Sequence, residues 1–172
     1  MNTTFERTQN STDEWYTPKE ILQALGPFDL DPCAPLAPLW NTAAVMYNKN
    51  DDGLSKQWFG RVWLNPPYSR PLIERFIEKM SSHNNGIALL FNRCDSKLFQ
   101  EYVLSKCSGI LFLEKRIRFY RSNGIQGKSP GCGSLLVAYG EDNLNVLKQC
   151  PLKGHLLIPI TNLKPMNPPP TE

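Results

Sequence analysis

Apolar and polar positions along the chain fall into blocks of two periods, and these predict helices alternating with strands. Thr17 followed by Pro18 reads as a hydroxyl N-cap with Pro at the first helical position, and Ile21, Leu22 and Leu25 supply a short apolar stripe that Gly26-Pro27 ends. Phe28 to Asp31 reads as a short strand running into the Pro-rich stretch from Asp31 to Pro38. Ala43 to Tyr47 and Gly60 to Leu64 read as further strands, the second ending at Asn65-Pro66-Pro67-Tyr68. Pro71 opens a helix through about Met80, with Leu72, Phe76, Ile77 and Met80 on one side. Gly86 to Phe91 is nearly continuously apolar, the mark of a strand buried on both faces. A helix over Lys97 to Ser105, strands over Ile110 to Leu113 and Ser134 to Tyr139, a short helix over Asp142 to Lys148 and a last extended segment over His155 to Ile160 complete the series. This alternation predicts an α/β fold with an open, mostly parallel sheet and helices on both faces. Ligands in such sheets sit beyond the carboxyl ends of the strands.

Composition narrows the class. The 172 residues suit one minimal domain, expected over residues 14–161, between a loose N-terminal segment at 1–13 and a Pro-rich tail at 162–172. With 41% hydrophobic residues and a net charge of +3, the chain is neither globally disordered nor polybasic, so any nucleic-acid surface must be local. The apolar runs fall far short of the roughly 20 residues that span a bilayer, and Met1 to Glu14 lacks the apolar core of a secretory signal. The five cysteines never occur as C-x-x-C, so neither a disulfide framework nor a zinc site is indicated. His83 and His155 stand alone without metal spacing, and a reducing, cytoplasmic setting is expected.

Candidate chemistry concentrates at Asn65-Pro66-Pro67-Tyr68. Two consecutive prolines fix two φ angles, remove two N–H donors and push Asn65 and Pro66 into extended conformations. The result is a stiff ledge lined with acceptors: the Asn65 side-chain carbonyl, the Pro66 main-chain carbonyl, and beside them the flat face of Tyr68. Such a ledge suits a planar amino group on an aromatic ring. Two acceptors take its hydrogens while Tyr68 stacks on the ring, and they favour pyramidalisation of a nitrogen whose lone pair is delocalised. No strong general base is needed before attack. Asp31 before Pro32 reads either as an Asx-turn initiator or as a ligand residue after a strand. Trp58 and Trp63 read as core.

In these pieces the chain resembles the phage-type, Dam-like DNA N6-adenine methyltransferases, which use S-adenosyl-L-methionine. The resemblance runs from about Asp13 to Gly140. It rests on Glu14-Trp-Tyr-Thr-Pro18, Phe28-Asp-Leu-Asp-Pro-Cys-Ala34, Asp51-Asp-Gly-Leu54 with Trp58, and Val62-Trp-Leu-Asn-Pro-Pro-Tyr-Ser69, in that order. Asn92-Arg-Cys-Asp-Ser96 resembles a degenerate further segment, and Arg116-Ile-Arg-Phe119 with Ser134 to Gly140 resembles the closing strands. The resemblance implies a Rossmann-like methyltransferase fold and an adenine-specific enzyme, encoded by a phage or prophage and acting on double-stranded DNA. It implies that Tyr16, Thr17 and Asp31 contact the cofactor while Pro32 and Cys33 shape the turn, with Asp51 or Asp52 near its ribose or adenine. Asn65 and Pro66 would hold the target N6, and Tyr68 would stack on an adenine turned out of the helix. S-adenosyl-L-homocysteine would be the product, and GATC is a candidate target. The chain departs from larger methyltransferases in lacking a Gly-x-Gly cluster after the first strand, where it has Ala34-Pro-Leu-Ala-Pro38. Methionine and ribose carry no phosphate for such a loop to cradle.

The remaining signal is cationic. Lys115, Arg116, Arg118, Arg121 and Lys128 occur in a stretch without acidic residues, around the turn signal Asn123-Gly124. It reads as a hairpin that places cations on phosphates, or as a solvated hairpin whose charges are incidental. Strand alternation would put Arg116, Arg118 and Tyr120 on one face and Ile117, Phe119 and Arg121 on the other. Arg93 and Asp95 are pocket or DNA-binding candidates, or a surface pair. The roughly thirty residues between Pro32 and Asn65 leave no room for a separate recognition domain of about 50 residues, so loops of the catalytic domain are expected to read DNA. Cytosine N4 or a protein glutamine offers a similar planar amine, and a non-catalytic DNA-binding module of the same fold is a third reading.

Overall fold

Continuous apolar runs decide the middle of the sheet. In the computed structural model, which describes residues 15–160, β4 (Gly86–Phe91) and β6 (Ser134–Tyr139) are buried almost throughout. They pair antiparallel over their whole length, from Gly86 against Tyr139 to Phe91 against Ser134. The segments expected at 1–13 and 162–172 lie outside the described residues. On one side of β4 the sheet continues through β3 (Val62–Leu64), β1 (Leu30–Asp31) and β2 (Val45–Met46), all parallel. On the other side β6 is followed by β5 (Gly109–Leu113) and β7 (Gly154–Leu157), both antiparallel to their neighbours. The order is β2-β1-β3-β4-β6-β5-β7.

The sheet is therefore mixed, which corrects the expectation of a mostly parallel one. The long return between β5 and β6 inserts β6 between β4 and β5. A continuous apolar run reports burial on both faces, and here helices cover both faces of an antiparallel strand. α1 (Lys19–Leu25) and α3 (Glu141–Gln149) pack on one face, where Leu22, Leu25, Leu144 and Leu147 join Trp63, Ile87, Leu89 and Leu136. α2 (Leu72–His83) and a π-helix (Phe99–Leu104) cover the other, where Phe76, Ile77, Phe99 and Val103 meet Val62, Leu64, Leu90 and Val137. Trp63 and Trp58 are core residues, as expected.

Several local expectations change. Pro18, not Thr17, occupies the cap position of α1, and no side chain caps that helix. The segment over Lys97 to Ser105 contains a π-helix over Phe99–Leu104 where the sequence predicts an ordinary helix, and it buries Phe99 and Val103. β7 stops at Leu157, and Ile158 and Ile160 are exposed, so the expected extended segment over His155 to Ile160 is only partly strand. α2 runs three residues past Met80 to His83 and ends at Asn84, whose left-handed backbone (φ 51°) lets its N–H donate to Met80 O.

The end of the sheet opposite the expected site is closed by a polar knot. Arg61, just before β3, donates from Nε to Asn143 Oδ1 at 2.7 Å, from Nη1 to Pro27 O at 2.8 Å and from Nη2 to Leu25 O at 2.9 Å. Two of these acceptors belong to the end of α1 and the turn after it, so Arg61 fixes that helix against the sheet. Asn143, fully buried, donates to Asn85 Oδ1 and Tyr139 O.

Candidate active site

The carboxyl ends of β1 and β3 bring two loops together. Asp31, 2% exposed, accepts the Cys33 N–H at 3.0 Å through Oδ1, forming the Asx-turn the sequence allows, and accepts the Thr42 hydroxyl through Oδ2. Burial pushes its pKa from 3.8 to about 6, while the Thr42 and Cys33 hydrogen bonds pull it part of the way back. Among the described residues no cation forms an ion pair with it. The Cys33 thiol donates to Asn65 O at 3.2 Å, tying the first loop to the second. Burial and the neighbouring Asp31 hold that thiol in its neutral form.

Pro32 is backed by the turn that contains Asp51 and Asp52. A Cβ at Gly53 would stand 1.9 Å from the Pro32 carbonyl oxygen, so only glycine permits this approach. Trp58 Nε1 clamps the same turn by donating to Gly53 O at 2.8 Å. Asp51 and Asp52 are exposed beside it, and Asp51 Oδ2 accepts the Asn48 N–H.

Asn65 follows β3 directly. Its Nδ2 donates at 3.4 Å both to Trp15 O and to Thr17 Oγ1, long bonds that nonetheless orient the amide. The Thr17 hydroxyl thus serves the Asn65 loop, which is why it does not cap α1. With the amino end of the amide turned this way, Asn65 Oδ1 is left buried without a hydrogen-bond partner. Pro66 is buried, and among the described residues no hydrogen bond ends on its carbonyl. Pro67 is half-buried and carries the chain to Tyr68. The Tyr68 hydroxyl donates to Leu89 O at 3.1 Å and its ring stacks on Phe91, and burial keeps the hydroxyl protonated.

The cationic hairpin is anchored to the same place. Tyr16 and Tyr120 exchange main-chain hydrogen bonds at 3.0 and 2.9 Å. The Tyr16 hydroxyl donates to Ala37 O, while Trp40 donates to Thr17 O and meets the Tyr120 ring edge-on at 5.2 Å. Ile117 and Phe119 are buried and Arg116 and Arg118 exposed, as the expected alternation has it, but these residues form no strand, the pairing being isolated bridges from Tyr120 to Tyr16 and Gln126, and Arg121, expected on the face of Ile117 and Phe119, is exposed. Lys115, Arg121 and Lys128 are exposed as well, and Asn123 Oδ1 accepts the Ile125 N–H in the turn. Arg116 Nη1 donates to Pro130 O, so one cation is partly committed within the loop. Arg93 and Asp95 are exposed in the turn after β4. Arg93 lines a cavity with Tyr68, Ile73 and Phe99, and Asp95 does not line it.

These contacts gather Tyr16, Thr17, Asp31, Cys33, Asn65 and Tyr68 at one end of the sheet. Thr42, Trp40 and Phe91 join them without any motif that marks them in the sequence; what recruits them is tertiary contact. The DNA N-6-adenine-methyltransferase (Dam) family model matches residues 5–141, a span that includes both loops and the hairpin. The chain belongs to this family. A DNA N-6-adenine-methyltransferase of Escherichia phage T1 is 32% identical over 111 residues, 59% of this chain and 45% of the phage protein. The chain thus spans about half the length of that curated relative. No solved structure matches the chain.

Membership in the Dam family implies a methyl donor of the S-adenosylmethionine type. The residues fit such a donor: a buried carboxylate with no ion-pair partner at the end of β1 suits a ligand that carries ammonium and sulfonium cations. Among the described residues no group of three or more His, Cys, Asp or Glu is placed to hold a metal, and no helix is long and apolar enough to cross a membrane.

Proposed function

We propose that this chain transfers a methyl group from S-adenosylmethionine to N6 of adenine in double-stranded DNA. The observation that carries this reading is the buried, unpartnered Oδ1 of Asn65 beside the uncommitted carbonyl of Pro66. A buried acceptor left unpaired costs about 1–3 kcal/mol, and such groups persist where a ligand satisfies them. An exocyclic amine brings two donors in one plane, which matches the two acceptors.

Asn65 Oδ1 and Pro66 O accept the two N6 hydrogens and favour a tetrahedral nitrogen, while Tyr68 stacks on the base once it has left the duplex. Because Oδ1 is covered, the loop must shift as the base enters. Tyr16, Thr17 and Asp31 would hold the cofactor, with Pro32 and Cys33 shaping the turn and Asp51 or Asp52 near its ribose or adenine, and it would supply an electrophilic methyl group. Attack by the N6 lone pair would form the new C–N bond as the methyl leaves sulfur, and the nitrogen, then acidic, would release a proton to solvent. Cys33 and Tyr68 are held in their neutral forms, which suits a transfer with no general base before attack. Lys115, Arg116, Arg118, Arg121 and Lys128 hold the backbone phosphates, with Arg93 and Asp95 beside the base-entry side.

Incubation with labelled cofactor and defined duplexes, followed by nucleoside analysis, tests the reading. N6-methyladenine at mapped sites is expected. Label on cytosine N4 or on protein glutamine would move the activity to another planar amine, and DNA binding without any transfer would reduce the chain to a binding module.

A further inference from the structure

Tyr68 is held from outside its own loop. Its ring lies on that of Phe91 at the end of β4, with centroids 4.2 Å and planes 25° apart, and its hydroxyl reaches back to Leu89 O on the same strand. Phe91 is itself met edge-on by Phe119 at 6.5 Å and 86°. Phe119 is a buried residue of the cationic hairpin, so the contact runs from the hairpin through Phe91 to Tyr68.

We infer that Phe91 is the positioning residue for Tyr68, setting the plane on which the target base stacks. Stacking on Phe91 fixes the height and tilt of the Tyr68 ring, and the hydroxyl bond fixes its tip. Together they hold the ring in one orientation with one face covered. A base can then stack only on the opposite face, which sets its plane relative to the Asn65 and Pro66 acceptors. Without Phe91 the ring keeps its hydroxyl bond but can pivot about it, and the amine loses alignment rather than affinity. Phe119, buried beneath the exposed arginines of the hairpin, meets Phe91 edge-on and limits its rotation. This inference rests on the proposed function, but the resting position of Tyr68 is open to measurement without activity.

The experiment compares the wild type with Phe91→Leu, Phe91→Trp, Tyr68→Leu and the Phe91→Leu/Tyr68→Leu double variant, using duplex methylation and the ring-proton resonances of Tyr68 in the free protein. Phe91→Leu is expected to lower kcat about tenfold with cofactor affinity unchanged, since it removes one aromatic pair. Phe91→Trp restores most of that loss. In the Tyr68→Leu background Phe91→Leu has little further effect, because both act through one ring. Tyr68 ring flips, read from the line shapes of its ring protons, become faster in Phe91→Leu and slow again in Phe91→Trp. A full additional tenfold loss in the double variant, or an unchanged Tyr68 flip rate in Phe91→Leu, overturns the inference. If Phe91→Leu does not fold, Phe91→Met takes its place. A wild type that never methylates adenine refutes the proposed function instead, and the flip rate still decides whether Phe91 holds Tyr68.

Discussion

Arg61 and Asn65 flank the three buried residues of β3, and the chain treats their polar groups in opposite ways. Before the strand, the Arg61 guanidinium has a partner for each of its three nitrogens, lies over the Phe28 ring at 4.3 Å, and joins a network that leaves fully buried Asn143 satisfied. After the strand, Asn65 spends its amino group on two long bonds and keeps a buried carbonyl with no partner. Among the described residues, Ser134 Oγ, the other buried side-chain atom without a partner, also lies at the carboxyl end of β4. One end of the sheet closes its polar network and holds α1 in place. The other end carries unsatisfied capacity that a ligand can meet. On the proposed function the difference separates groups that stabilise the fold from groups held ready for chemistry, and each substitution below tests that separation.

The largest expected effect is at Asn65. Asn65→Ala should lower methyl transfer by about 10²–10³-fold while cofactor binding, measured by calorimetry, is retained. Its thermal midpoint should stay level or rise, because the substitution removes a buried acceptor that the free protein cannot satisfy. A loss of stability comparable to that of Arg61→Ala would break the comparison. Arg61→Ala should show the reverse signature, with unfolding free energy reduced by about 3 kcal/mol in denaturant titration as charged hydrogen bonds are lost and Asn143 Oδ1 is orphaned. Activity per folded molecule should hold. Arg61→Lys should recover little, since an ammonium cannot reach three separated acceptors in the fork geometry.

How much of this was legible in the sequence depended on how local its cause is. β4 and β6 occur at the residues their apolar runs predict, and the Asn123-Gly124 hairpin follows its turn signal and alternation. The loop from Asn65 to Tyr68 follows a strand because Pro66 and Pro67 cannot continue one. Strand direction was not legible, because the insertion of β6 between β4 and β5 is settled by pairing between distant segments. Thr17 has the local marks of a cap, yet its hydroxyl accepts from Asn65, 48 positions away. Thr42 and Phe91 belong to no motif; the folded chain brings one to Asp31 and the other to Tyr68.

Asp31 tests the comparison by pH. Its folded pKa of about 6 lies above the ordinary 3.8, so between these values the native state binds more protons than the unfolded chain. Its contribution to stability is present below about pH 4, falls as pH rises towards 6, and stays lower above that. Asp31→Asn should remove this dependence and be about 2 kcal/mol more stable than the wild type at pH 7.5, as read from paired denaturant curves. Cofactor affinity should move the other way, weakening in the wild type as pH falls through about 6 and staying low and flat in the variant. A variant that binds the cofactor as tightly as the wild type at pH 7.5 would make Asp31 a turn residue alone.

The smallest effect is expected on the hairpin, where charge sits on the surface and neither end of the sheet depends on it. Arg118 is exposed, and among the described residues its one hydrogen bond is accepted by its main-chain carbonyl from Gln126 Nε2 at 3.3 Å, a bond that survives truncation of the side chain. Arg118→Ala should therefore leave the thermal midpoint and cofactor binding unchanged. If the side chain neutralises one phosphate, the slope of log affinity against log salt for duplex DNA should become shallower by about 0.9, with the same loss on every sequence tested. A loss confined to one sequence would assign Arg118 to base reading instead. An unchanged slope would make its charge incidental, leaving the DNA surface to Arg121 and Lys128 further along the same exposed hairpin.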